Sequence, residues 1–492
     1  MARGARPYPR NAALVKWRCL AWNVMPLPVS VALALLTLVG TAAAQGVPVD
    51  RSGIGTPRAA ERLEAPGRQL GDLLQEASDL PVATRSRTDR TSREGSPITP
   101  DGEHLINRWL GLERSPVRIY GWIQNSYTGN PAAPANGLNF GVNPNDLANQ
   151  WMGNQYYLIV EKPAARGDAI DFGFRFDHLF GNDWQFNHMH GLFDGVFRLD
   201  SFAGYDPAQF YGEVHFPILT EGGLDVRGGR WYTIAGFESV PAVSRPLLSV
   251  PYLFNYGQPF THIGVLTTLH LSDRHKLFNG AINGWDRFVN ERYAWGYIGG
   301  FSWDSADART HLAFTCVWGP NQFPDFLPAD TQIFPTGYVN VPSLAGLPNP
   351  GYLRNVRTLF TTVVSHAWTR RLTQVLEFDQ GWERSIPGLA SNGRNGLPAS
   401  DQWYGIGNWF LYQVSEPLSV VWRAEWFRNV AGSRTGFPGN FAELTLGAVI
   451  KPKPRLWIRP EIRFDWANPS RPFNNGTSDR QLTLGLDVIV VF

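Results

Sequence analysis

The sequence predicts an all-β fold, a transmembrane antiparallel β-barrel of about sixteen strands with long external loops and short periplasmic turns. Three observations carry this. Segments of roughly ten residues with alternating apolar and polar side chains recur from Val117 onward. The joins between them are short and long by turns. The last segment ends on Phe492, behind which Leu482, Leu484, Leu486, Val488 and Val490 hold every second position. A period of two sends successive side chains to opposite faces, and a membrane barrel gives one face to lipid and the other to its lumen.

The residues before Val117 read differently. Arg3, Arg6, Arg10, Lys16 and Arg18 form a positive segment with no acidic residue, Val29 to Val39 is apolar, and Ala42-Ala43-Ala44 offers a small-residue cleavage site. Together they predict a cleaved signal peptide over residues 1–44 and export to the cell outer membrane. Residues 45–116, rich in Arg, Ser, Thr and Pro, read as a flexible periplasmic extension with one short helical stripe at Leu70, Leu73, Leu74 and Ala77. Residues 117–492 are the barrel. Cleavage leaves Cys316 as the one cysteine, so no intramolecular disulfide braces it. Five of the 44 basic residues go with the signal segment, leaving 39 against 42 acidic ones. That near-neutral balance argues against a nucleic-acid partner. No later stretch approaches the ~20 consecutive apolar residues of a membrane helix.

Strands are expected near residues 117–127, 154–163, 169–181, 207–218, 223–235, 261–272, 276–285 and 292–304, then 310–319, 354–369, 372–385, 402–414, 418–429, 440–451, 456–467 and 481–492. The clearest is IDFGFRFDHLF, where Ile170, Phe172, Phe174 and Phe176 oppose Asp171, Arg175 and Asp177. In LSVVWRAEW, Trp422, Ala424 and Trp426 oppose Arg423 and Glu425. In IRPEIRFDW, Ile458, Ile462, Phe464 and Trp466 oppose Arg459, Glu461, Arg463 and Asp465. Four consecutive charges on one face need water or one another, which a lumen supplies. With the N-terminus periplasmic, an even strand count returns Phe492 to the periplasmic side.

By this parity the lumen candidates are Arg118, Gln124, Asp171, Arg175, Asp177, Glu213, Asp225, Arg227, Glu377, Asp379, Arg423, Glu425, Arg459, Glu461, Arg463, Asp465 and Asp487. Both signs occur, so the charges either set selectivity or pair as networks that strengthen the wall. Phe492 falls on the lipid face with Leu482 through Val490, as an insertion signal read by the barrel-assembly machinery. Cys316 shares the greasy face of Leu312, Phe314 and Trp318. His188 and His190 near Asp183 are a weak metal pattern, and no metal or cofactor is expected. Ser365 and His366 are adjacent on a strand and point apart, so no acyl-transfer site forms and no enzyme is expected.

GWIQNSYTGN (121–130), GRWYTIAGFE (229–238), NYGQPFTHIGV (255–265), NGWDRF (283–288) and RPEIRFDWA (459–467) resemble the OmpL-like β-barrel porin family, and the similarity runs over nearly all of residues 117–492. The resemblance implies an outer-membrane channel with no catalytic residues to carry over. The function expected is passive diffusion of small hydrophilic solutes or ions through a polar, mixed-charge lumen. The alternative is a non-conducting barrel acting as a surface, envelope-anchoring or adhesion protein. Outer-membrane lipid surrounds it in either case, and a homotrimer is open. By analogy with sixteen-stranded porins, the loop at residues 237–260 either folds inward, putting Glu238 and Arg245 at a constriction, or projects outward as a lid.

Overall fold

The computed structural model describes residues 104–189, 191–193, 203–290, 294–321, 355–386 and 400–492. The signal-peptide reading, nearly all of the extension, His190 and most of the long loop after Pro320 lie outside these residues.

Sixteen strands close into one antiparallel barrel. They are β1 Arg118–Gly129, β2 Trp151–Lys162, β3 Asp171–Gly181, β4 Gly204–Phe216, β5 Leu224–Tyr232, β6 Thr261–Ser272, β7 His275–Ile282 and β8 Gly296–Asp304. The second half is β9 Thr310–Pro320, β10 Val356–Ala367, β11 Leu372–Glu383, β12 Asp401–Ser415, β13 Leu418–Asn429, β14 Gly439–Lys453, β15 Leu456–Asn468 and β16 Arg480–Val491. Each strand pairs with its sequence neighbours, and β1 pairs with β16 to abolish the edges. All sixteen expected strands form. The joins alternate as expected: two residues separate β6 from β7, and the 28 of residues 233–260 separate β5 from β6.

Parity sorts the two faces. On β16, Leu484 is 48% exposed while Asp487 is fully buried. Phe172, Phe176, Ile462, Phe464 and Trp466 are likewise exposed, and Arg175, Asp177, Glu461, Arg463 and Asp465 are buried. A soluble protein would not leave such a continuous apolar band in water; lipid is its natural solvent. Aromatic rings run across this outer face from β8 to β11, with Phe301, Phe314, Phe360 and Trp382 in successive contact at 5.8, 6.0 and 5.4 Å between centroids. Cys316 lies on the same face, half-buried.

The closing seam has its own construction. Gly121 and Phe492 exchange two backbone hydrogen bonds, of 3.0 and 2.9 Å. The Phe492 ring lies over Gly121, where a side chain on that residue would meet it. Among the described residues, no strand pairs with Ile119 of β1 on that side. A short helix, α1 (Leu105–Trp109), supplies the partner: Asn107 accepts from the Ile119 N–H at 2.7 Å and donates to the Val117 carbonyl at 2.6 Å. One side chain thus imitates the missing strand.

The barrel interior is not uniformly polar. Trp122, Tyr157, Ile159, Leu266, Phe278, Ile298, Val317, Leu359, Trp403 and Trp409 are buried among inward positions. They pack with Val240, Val243, Leu247, Val250, Leu253 and Phe254 of residues 233–260. This long join therefore folds into the barrel and does not project as a lid.

Candidate constriction and lumen

Residues 233–260 are built to be buried. Between Phe237 and Phe260 only Glu238 and Arg245 are charged, while apolar and aromatic residues dominate. Pro241, Pro246 and Pro251 break any long regular element, leaving a 3-10 turn at Ala242–Ser244 and one wide helical turn at Leu253–Gly257. A buried loop must satisfy its backbone polar groups, and here the barrel wall does so.

The wall from β11 to β16 acts as the clamp. Glu461 accepts from the Leu248 N–H at 2.9 Å and from the Ser249 N–H at 3.1 Å. Glu425 accepts from the Tyr252 N–H at 2.6 Å and from the Leu253 N–H. Glu377 accepts from the Phe237 N–H at 3.1 Å and, with Asp379, from the Gln258 amide. The arginines take the carbonyls. Arg423 donates to Ser249 O at 2.6 Å, Arg463 to Val250 O at 2.7 Å, and Arg459 to Ala242 O and Arg245 O at 2.9 and 2.7 Å. Carboxylates meet N–H donors and guanidiniums meet carbonyls, the stronger class of hydrogen bond.

The same side chains also pair along the wall. The register aligns Glu425, Glu443 and Asp465 in one row and Arg423, Thr445 and Arg463 in the next. Ion pairs then join the rows: Arg423 to Glu443 diagonally between β13 and β14 at 2.5 Å, and Arg463 to Asp465 along β15 at 2.8 Å. Arg459 and Asp487 pair at 2.5 Å, and Asp487 also accepts from Gln124 at 2.6 Å. Like charges side by side would repel; alternating rows turn that into attraction.

Glu238 and Arg245 are both inside the barrel and buried. Glu238 accepts from the Trp409 indole at 3.1 Å and stands 3.8 Å from Arg423. Arg245 Nη2 lies 3.7 Å from Asp183 of the loop after β3. Burial raises the Asp183 carboxyl above its ordinary value, against the opposing pull of Arg245. At the far end of the loop, Asp286 accepts the Phe260 and Thr261 N–H groups at 2.9 and 2.8 Å. Burial pushes its pKa up to about 6.

The remaining candidates lie on the other wall. Arg175 bridges Asp177 at 2.7 Å and Glu161 at 3.3 Å. Arg227 pairs with Glu213 at 2.8 Å and covers the Tyr211 ring at 4.2 Å. Glu213 and Arg227 keep part of their side chains exposed. Arg118, at the start of β1, is opposite Glu161. Asp171 is at the rim, where it takes the Lys162 ammonium and the Ala165 N–H of the adjacent turn. Asp225 is bonded to His215 at 2.7 Å, His270 at 2.8 Å and Arg166 at 3.0 Å, also near the rim.

Sequence reasoning missed Glu443, His215, His270 and Gln258. Parity could have found Glu443, which alternates with Thr445 in AELTLG. The partners of the histidines and of Gln258 lie on other strands, with no local signal. Among the described residues no group of three or more His, Cys, Asp or Glu is arranged to hold a metal.

One anchor can be tested alone. In Glu425→Ala, the buried Tyr252 and Leu253 N–H groups lose their acceptor, at about 2 kcal/mol or roughly thirtyfold in local opening. Amide exchange over residues 249–257 should accelerate by that factor while exchange in β13 and β14 stays slow. Unchanged exchange would show that Glu425 does not hold the loop.

Residues 116–492 match a family model described as "Putative beta-barrel porin-2, OmpL-like". Among solved structures, the chain is similar to the anion-selective porin from Comamonas acidovorans, with 11% identity and a TM-score of 0.50 over 76% of this chain and 99% of that one. It is also similar to Pseudomonas putida OprB, with 10% identity, a TM-score of 0.48 and coverage of 80% and 98%. A loop L8 deletion mutant of Vibrio cholerae OmpT gives 10%, 0.48, 76% and 99%. At such identities the likeness is one of fold. A search of curated proteins finds no match.

Proposed function

The chain belongs to the OmpL-like β-barrel porin family, and from that membership we propose that it lets small hydrophilic solutes diffuse passively through a narrowed, mixed-charge lumen. It is an outer-membrane porin by fold and family, and proteins of this kind are generally not enzymes. The observation that carries the proposal is that residues 233–260 fold into the barrel and cover only part of its inner wall. They are clamped chiefly to the wall from β11 to β16, with further hydrogen bonds to Gln155 of β2, Thr315 of β9 and Thr361 of β10. Near the short-turn ends of β4, β5, β6, β9 and β10 the inward residues Glu213, Arg227, Thr268, Ala313 and Ser365 stay partly exposed. We read these residues as the wall of the path, and Glu238 and Arg245 as part of the constriction beside it. Arg175 and Asp177, with Glu161, brace that wall, while the charges under the loop hold the constriction in place. The rest of the reading is a cleaved signal peptide, a periplasmic extension and recognition of the β16 segment with Phe492 by the assembly machinery.

Planar-bilayer recording of the purified barrel tests this. Discrete ion-permeable steps are expected. Arg227→Gln should shift selectivity toward cations and Glu213→Gln toward anions, each by about twofold, because each substitution unbalances a pair facing water. A folded, inserted and silent barrel would sink the proposal and favour a surface or envelope-anchoring role.

A further inference from the structure

At the end of the barrel opposite the short turns, the lipid-facing alternation of three strands meets arginine. On β11, Leu376, Phe378 and Trp382 lead to Arg384, whose N–H still bonds the Val356 carbonyl at 2.9 Å. On β13, Trp422 and Trp426 lead to Arg428, and on β16 Arg480 precedes Leu482 and Leu484. Arg471 lies in the loop before β16. Arg384, Arg471 and Arg480 are exposed and Arg428 is half-buried. Among the described residues, none of these four guanidiniums has an ion pair or a hydrogen bond. Asp479, next to Arg480 in sequence, is exposed and forms no ion pair with it. The inward arginines Arg423, Arg459 and Arg463, by contrast, each hold a carboxylate.

Aromatic rings fix the depth of these arginines. Trp382 precedes Arg384 by two residues, and Tyr404, packed on Trp426 at 5.6 Å between centroids, stands opposite Arg428. Trp466 stands opposite Arg480. Such rings gather where hydrocarbon gives way to headgroups, so the arginines lie at headgroup depth and face the membrane. Outward positions at the same end of β2, β3, β8 and β9 hold Trp151, Phe180, Tyr297 and Trp318 instead. Between the arginines the row is amide: Arg428 is opposite Asn440, and Asn440 is opposite Asn468. Three strand spacings separate Arg428 from Arg480, roughly 15 Å along the rim. Unpaired guanidiniums at this depth call for anions in the same layer, and phosphate suits their paired N–H donors. Phosphates held apart on a sugar scaffold match the spacing, and sugar hydroxyls match the amides. We propose that the lipid-facing rim from β11 to β16 binds a phosphorylated glycolipid of the surrounding membrane. Its phosphates lie on Arg428 and Arg480, with Arg384 and Arg471 flanking, and its hydroxyls on Asn440 and Asn468. The site rests on the membrane barrel and needs no passage of solute, so it stands or falls apart from the conductance test.

The test uses folded full-length protein in detergent and diphosphoryl lipid A as the probe, with native mass spectrometry as the readout. Saturable retention of the glycolipid is expected, weakened about tenfold or more when Arg428→Gln and Arg480→Gln are combined. The control combines Arg370→Gln and Arg371→Gln, which removes the same charge from exposed positions in a short turn and should leave retention unchanged. If the first double variant does not fold, the single variants and competition by phosphatidylglycerol decide. Absence of saturable retention, equal loss in the control, or displacement by phosphatidylglycerol as effective as by lipid A would overturn the proposal. So would a lipid-free dimer lost in the Arg428 and Arg480 variant, which would assign the face to a second copy of the chain.

Discussion

Replacing residues 237–257 by a short glycine-serine link should raise single-channel conductance several-fold. The barrel tolerates the excision because the loop begins and ends on paired residues. Tyr232 and Thr261 are cross-strand partners, and the Thr233 N–H donates to the Phe260 carbonyl at 2.9 Å. A hairpin of ordinary length can therefore join the two strands. What leaves the lumen is the apolar filling of Val240, Val243, Leu247, Leu248, Val250, Leu253 and Phe254. What it uncovers is Glu377, Glu425 and Glu461, which then meet water in place of the Phe237, Leu248 and Tyr252 N–H donors. Conductance should rise because the cross-section widens. A variant that folds and conducts as before would show that the loop does not narrow the path.

Gly121→Ala should abolish most assembly of the barrel, although it adds a single methyl group. A Cβ at this position would lie 2.0 Å from the Tyr157 carbonyl oxygen and 2.9 Å from Cζ of Phe492. The first neighbour is backbone in β2 and cannot swing aside; the second is the ring that closes the seam. Separating β1 from β2 and lifting Phe492 would strain the one junction whose strands lie at opposite ends of the chain. Overpacking of this kind costs about 1–3 kcal/mol, concentrated where closure must complete. Gly212→Ala is the control, since nothing lies within 4 Å of its added Cβ. The folded fraction in isolated membranes, read from heat-dependent gel mobility, should collapse for Gly121→Ala and hold for Gly212→Ala. Phe492→Ala should lower the yield less steeply, and barrels that do insert should conduct normally, because Phe492 faces away from the lumen. Equal yields for the two glycine variants would refute the seam argument.

Strand number and face were readable because each follows from local rules. IRPEIRFDW shows both faces of β15 by alternation alone, and the structure has Ile462, Phe464 and Trp466 outside with Arg463 and Asp465 inside. Boundaries drifted only at the rims. The fifth strand was expected to run to residue 235 and ends at Tyr232, where the chain turns into the lumen. The eighth was expected from 292 and begins at Gly296. The density of apolar residues between Phe237 and Phe260 was also visible, and only two charges in such a stretch point to burial.

By itself, then, the sequence determined which side chains face lipid and which face inward, because a strand's geometry sends neighbours to opposite faces whatever lies beyond it. Only the tertiary structure decided which inward charges meet water. Glu461 is claimed by Leu248 from 213 residues away, and Glu425 by Tyr252 from 173 away. Glu213 and Arg227, with the same local alternation, are left partly exposed. The difference is the path of one loop across the barrel. That path is set by where its backbone donors and acceptors find partners, and no periodicity within a single strand records it.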